Sequence, residues 1–160
     1  MAGRIIKLAE LKKLRQRWRG QKKRMVFTNG CFDLLHPGHI RYLARAKSFG
    51  DFLVVGLNSD CSVQRLKGKN RPVMTQASRA EILCALWFVD YVVIFEEDTP
   101  LKLIEELKPE VLVKGADWPA AMIVGAEEVM EGGGRVRRIK LARGYSTSAL
   151  IRKILKKGCD

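Results

Sequence analysis

The stretch Thr28-Asn29-Gly30-Cys31-Phe32-Asp33-Leu34-Leu35-His36-Pro37-Gly38-His39 decides how the chain is read. It begins where the short apolar run Met25-Val26-Phe27-Thr28 ends, and that run reads as a buried strand. It leads into residues 38–49, which read as a helix stopped by Gly50. A strand passing through a glycine-bearing turn into a helix is the first half of a βαβ unit.

The pattern repeats outward from there. Residues 52–57, Phe-Leu-Val-Val-Gly-Leu, are a near-continuous apolar run, as strands buried on both faces of a parallel sheet show. Residues 91–95, 111–113 and 136–141 read as three more strands. Between and after them, helices are expected over 78–88, from Thr99 (N-cap) and Pro100 (first turn), up to Glu131 before Gly132-Gly133-Gly134, and over 146–155. Upstream, Ile5, Leu8, Leu11 and Leu14 fall on one face of a helix whose other face is Lys/Arg and whose stop is Gly20. The expected fold is α/β: a single doubly wound (Rossmann-like) domain with a five-stranded parallel sheet. Residues 1–24 read as a basic helical extension and residues 25–157 as the domain.

Composition narrows the function. A hydrophobic content of 47% excludes wholesale disorder. No apolar run reaches the roughly 18 residues of a membrane span, and no signal-type stretch follows the N-terminus, so a cytoplasmic protein is expected. Cys31, Cys61, Cys84 and Cys159 form no C-x-x-C pair, so no metal site is expected and the thiols should be reduced. The net charge of +13 is uneven. Residues 1–24 hold ten Lys/Arg against one acidic residue, and residues 132–160 hold nine against one. The middle holds eleven against fifteen, so the segment carrying the motifs is slightly acidic. A nucleic-acid-binding module is the rival class, but base stacking needs aromatics among the cations, and Trp18 is the lone N-terminal candidate.

In an open parallel sheet, ligands bind beyond the carboxyl ends of the strands. His36 and His39, the chain's two histidines, sit three apart at such an end, where a helix begins. Two imidazoles so spaced face the same way and can donate N–H groups to phosphate, beside the free backbone N–H groups of the helix start. The plain alternative is a pair of capping or core histidines. Gly30 permits close backbone approach, and Gly38 opens the helix. Neither G-x-x-x-x-G-K-[ST] nor G-x-G-x-x-G occurs, so the common phosphate loops are absent. Ser146-Thr147-Ser148 open the last helix, where hydroxyls suit phosphate or merely cap. Lys114 follows Val-Leu-Val at a strand end and points to the same crevice.

His36-Pro37-Gly38-His39 after a strand resembles the H-x-G-H signature of the cytidylyltransferase-like nucleotidyltransferases. Thr28-Asn29-Gly30, Phe32-Asp33, Asn58-Ser59-Asp60, Arg65-Leu66-Lys67-Gly68, Arg71-Pro72-Val73, Glu96-Glu97-Asp98-Thr99-Pro100 and Val113-Lys114-Gly115 look like the adenylyltransferase domain of bacterial ADP-heptose synthases, here in a stand-alone form. The resemblance implies transfer of AMP from ATP to D-glycero-β-D-manno-heptose 1-phosphate, with Mg2+ accompanying the nucleotide and a homodimeric assembly. It implies that His36, His39 and Lys47 act on the reacting phosphates. It implies nucleotide contacts from Thr28, Asn29, Gly30, Phe32, Gly38, Arg79 and Ser146 to Ser148, and substrate contacts from Asp33, Asn58, Asp60, Arg71, Lys114, Asp117 and Trp118. For Lys47 and Arg79 the alternative is a surface charge, for Asp33 and Asp60 a turn former, and for Trp118 a core residue. The family usually reads Lys-Gly-Gly-Asp-Tyr where this chain has Lys114-Gly115-Ala116-Asp117-Trp118, and glycerol-3-phosphate cytidylyltransferases carry Asp-Trp near that place. Cytidylyl transfer to glycerol 3-phosphate or phosphoethanolamine, or adenylyl transfer to FMN, are therefore the alternatives.

Overall fold

The computed structural model describes residues 3–116, 119, 122–140 and 144–157. Its strands are β1 (Arg4–Ile5), β2 (Met25–Gly30), β3 (Phe52–Asn58), β4 (Tyr91–Phe95), β5 (Val111–Gly115) and β6 (Arg135–Ile139). All pair in parallel, in the order β1-β4-β3-β2-β5-β6. The helices are α1 (Leu8–Gly20), α2 (Pro37–Lys47), α3 (Asp60–Lys67), α4 (Gln76–Ala85), α5 (Leu101–Leu107), α6 (Ala126–Glu131) and α7 (Thr147–Lys157).

The central strands alternate their apolar side chains between two cores. Val26, Leu53, Val55 and Leu57 meet α2 and α4 through Leu43, Ala46 and Leu83. Met25, Phe27 and Val54 meet α1, α5 and α6 through Leu11, Leu107 and Val129. Strand order reverses between β2 and β5, which places a crevice beyond their carboxyl ends.

Three sequence expectations change. Among the described residues the sheet has six strands, not five: the two residues of β1 pair with Tyr91 and Val92 at the edge. So short a strand has no periodicity, and only the tertiary bonds Arg4 N to Asp90 O and Ile6 N to Val92 O define it. Helix α3, capped by Ser59 on the N–H of Ser62, has no counterpart in the sequence reading, because its buried face is only Ser62 and Val63. Helix α5 starts at Leu101, with Pro100 at the cap position and no side-chain cap, so Thr99 does not cap it.

Helix α1 is joined to the domain core. Leu11 and Trp18 are buried, and Trp18 stacks on Phe52 with ring centroids 4.2 Å apart. Arg15, 3% exposed, donates to the carbonyls of Leu107 and Lys108 and to Glu110.

Candidate active site

The strands run the same way, and the carboxyl ends of β2, β3 and β5 border a cavity of about 750 Å³. Asn29 and Gly30 reach it from β2, Asn58 from β3, Lys114 from β5, and Ser146, Thr147 and Ser148 from the start of α7. Asn29 accepts a hydrogen bond from the Lys114 ammonium across the switch point.

His36 and His39 line this cavity at the start of α2. Pro37 occupies the first turn, where its missing N–H leaves no bond unmade, and His36 is the N-cap. The two rings stack 3.7 Å apart at 16°. Nδ1 of His36 accepts the backbone N–H of His39 at 3.4 Å, which places the ring proton of neutral His36 on Nε2. Burial lowers the His36 pKa. Burial, and then the neighbouring His36, push His39 down to about 4. Both rings are therefore neutral near pH 7, so they can sit face to face without cationic repulsion and still offer N–H donors. Gly38 is the residue that permits this: a Cβ there would lie 3.0 Å from His36 Nδ1 and 3.3 Å from the Tyr145 side chain. Thr147 Oγ1 donates to the Leu34 carbonyl at 3.2 Å, tying the start of α7 to the histidine loop.

Phe32, at φ +43°, packs edge-on against His39 and beneath Gly30. Asp33 borders the cavity, but its carboxylate is committed. It accepts from Arg71 Nε at 2.6 Å and from the backbone N–H groups of Val73 and Met74. Burial raises its pKa, and the Met74 and Val73 N–H groups with the Arg71 guanidinium outweigh that and hold it below the usual carboxylate value. Asn58 lines the cavity while donating to Ser62.

Four residues expected in the site are elsewhere. Lys47 ends α2, which runs against the strands, so it emerges at the opposite edge of the sheet, bonded to Asp90 Oδ2 at 2.6 Å and Asp51 O at 2.5 Å. Eight residues of helix separate it from His39, roughly 12 Å. Thr28 is fully buried, and its hydroxyl meets that of Tyr42, which donates to the Val113 carbonyl. Arg79 and Asp60 pair beneath the crevice at 2.8 Å, where Arg79 is 1% exposed. Asp117 and Trp118 lie outside the described residues.

Tyr145, beside the expected Ser146 to Ser148 run, lines the cavity too, whereas Cys31, Lys67, Thr99, Pro100 and Met122 to Val124 were not expected there. The one signal for Lys67 was its place in the run Arg65-Leu66-Lys67-Gly68 that resembles the family, since the helix it ends could not be read in the sequence. Met122 to Val124 had none, since they belong to no regular element. Among the described residues no group of three or more His, Cys, Asp or Glu is arranged to hold a metal. No helix among them is long and apolar enough to cross a membrane.

A crevice with an imidazole pair and two helix starts on its walls is built for a polyphosphate, and the class it defines is a nucleotidyltransferase. Residues 27–153 match the family model described as cytidylyltransferase-like, and the chain belongs to that family. It is 59% identical over 138 residues to bifunctional protein HldE of Geobacter sulfurreducens, covering 86% of this chain and 28% of that protein. It is 51% identical over 154 residues to HldE of Helicobacter pylori strain G27, covering 96% and 32%. The chain thus spans less than a third of the length of these curated relatives. A lipopolysaccharide core biosynthesis protein from Thermoplasma volcanium superposes with TM-score 0.62 at 31% identity, covering 78% of this chain and 99% of that one. A pantoate-beta-alanine ligase from Francisella tularensis, complexed with beta-gamma ATP and beta-alanine, superposes with TM-score 0.64 at 16% identity over 89% and 68%, a likeness of fold alone.

Proposed function

We propose that this chain transfers AMP from ATP to D-glycero-β-D-manno-heptose 1-phosphate, giving ADP-heptose and pyrophosphate. The observation that carries the reading is the stacked, neutral His36–His39 pair on the cavity wall. Identity of 51–61% to HldE proteins supports the acceptor.

An oxygen of the sugar phosphate attacks the α-phosphorus of ATP. The bond from that phosphorus to the bridging oxygen breaks, and pyrophosphate leaves with the electron pair. The attacking phosphate is already ionised at neutral pH, so no general base is needed. The protein's part is positioning and charge compensation. His36 and His39 donate N–H groups to phosphate oxygens as charge builds. Ser146, Thr147 and Ser148, with the free N–H groups of α7, hold the leaving phosphates. Lys67, Arg71 and Lys114 supply positive charge around them, and Asn29, Gly30, Phe32 and Gly38 shape the nucleotide wall.

The described residues do not form a cage for magnesium: no acidic cluster faces the cavity, and the Asp33 oxygens are taken. Magnesium belongs to this reading as part of the substrate, carried with its waters on the triphosphate. Cytoplasmic location and a homodimer, which the resemblance implies, belong to the same proposal.

Pyrophosphate release is the test, with ATP or CTP offered against heptose 1-phosphate, glycerol 3-phosphate, phosphoethanolamine and FMN. Release is expected with ATP and heptose 1-phosphate alone. Consumption of CTP in place of ATP, or a preference for another acceptor, overturns the reading.

A further inference from the structure

The segment joining α3 to α4 forms one rim of the crevice and brings Lys67 and Arg71 to it. Nothing apolar anchors this segment. Residues 66–70 are exposed, Val73 is 56% exposed, and no side chain from 67 to 75 belongs to either core. It turns at Gly68, whose carbonyl accepts the Arg71 N–H at 3.0 Å.

Two buried charges of opposite sign hold it. From one side comes Asp33, whose side chain is 1% exposed and takes Arg71 Nε, Val73 N and Met74 N. From the other comes Arg79, whose Nε donates to the Met74 carbonyl at 3.0 Å and whose Nη1 donates to the Cys31 carbonyl at 2.5 Å. The turn after β2 and the rim segment are thereby laced together through residues 31–33 and 71–74. A buried carboxylate with three donors is satisfied where it is, and such charge-assisted bonds are the strong ones.

We infer that Asp33 is a positioning residue that seats segment 67–75 on the crevice rim, and does not itself bind substrate. Its effect on catalysis passes through Lys67 and Arg71, and this part rests on the reading of the crevice as the nucleotide site. Arg79 is the matching clamp beneath.

The test combines trypsin with kinetics. Asp33→Asn keeps the size of the side chain and an oxygen for the Val73 and Met74 N–H groups, and removes the charge opposite Arg71. Trypsin cuts after Lys67 and Lys69, and mass spectrometry of the fragments reports each cut. Cleavage at these two bonds is expected to be about tenfold faster in Asp33→Asn, the scale of one lost bond to a charged group, with cuts elsewhere unchanged. KM for ATP is expected to rise about tenfold, with kcat held within roughly threefold. Arg71→Gln, which removes the other half of the pair, should show the same faster cleavage, and cleavage of the double variant should be no faster than that of either single one. Should Asp33→Asn fail to fold, the cleavage of Arg71→Gln carries the test. Unchanged cleavage overturns the inference, and so does a collapse of kcat at constant KM, which would put Asp33 on the reacting phosphates. The proteolysis needs no substrate, so an inactive wild-type chain would refute the proposed reaction and leave this result standing.

Discussion

His36 accepts the backbone N–H of His39 through Nδ1, and the two rings lie parallel within 16° at 3.7 Å. Each ring thus orients the other, and the pair acts as one donor surface. His39→Ala removes half of it. Turnover is expected to fall by roughly 10²–10³-fold, the range for losing a preorganised electrostatic group. Folding should survive, because the change also removes a buried Nδ1 that has no hydrogen-bond partner among the described residues. Steady-state kinetics beside a thermal melt check both halves, and turnover within threefold of wild type would contradict the role.

The depressed His39 pKa sets a direction for stability against pH. The folded ring titrates near 4, against an ordinary value of 6.5. Between those values the unfolded chain takes up a proton that the folded one refuses, so stability falls as pH drops through that window. The contribution is complete above about 6.5 and gone near 4. Urea unfolding of wild type and His39→Gln from pH 7 to 4.5 measures it. The stability gap between the two should shift against wild type as pH falls, and a constant gap would contradict the account.

Trp18, 5% exposed, packs on the sheet against Phe52 and Tyr91, so it is closed to a base that would need its face. Trp18→Ala should cost about 3–5 kcal/mol, the usual range for a large aromatic removed from a core. Denaturant titration checks this. A loss under about 1 kcal/mol would mean that α1 is an appendage and not part of the fold.

The resemblance puts Lys47 on the reacting phosphates, but the structure places it against Asp90 at the opposite edge of the sheet and places Lys67 on the cavity wall. Lys47→Ala breaks a half-buried pair with Asp90 and should lower stability by about 1–2 kcal/mol, with turnover within roughly twofold of wild type. Lys67→Ala should do the reverse, lowering kcat/KM by at least about tenfold with little change in melting. Parallel kinetics and melts of the two variants decide it.

Those two lysines also show what could be read from residues alone. The strands of the sheet interior were legible because Phe52–Leu57 and Tyr91–Phe95 are apolar on both faces, and the histidine loop because it joins a strand to a helix. Contacts across the chain were not. Arg79 and Asp33 carry charges that look free in one dimension, and only the return of residues 71–74 over residues 31–33 turns them into clamps. Thr28 looks like a motif residue facing ligand, yet its hydroxyl is spent on Tyr42 inside the core. Met122 to Val124 reach the cavity from an irregular segment that has no period to announce it.

A crystal structure with a non-hydrolysable ATP analogue and magnesium tests the central claim most directly. The account expects nitrogens of both imidazoles within about 3 Å of the α- and β-phosphate oxygens, and the start of α7 on the phosphates beyond. A triphosphate bound away from the His36–His39 pair, with both rings more than about 5 Å from any phosphate oxygen, would contradict it.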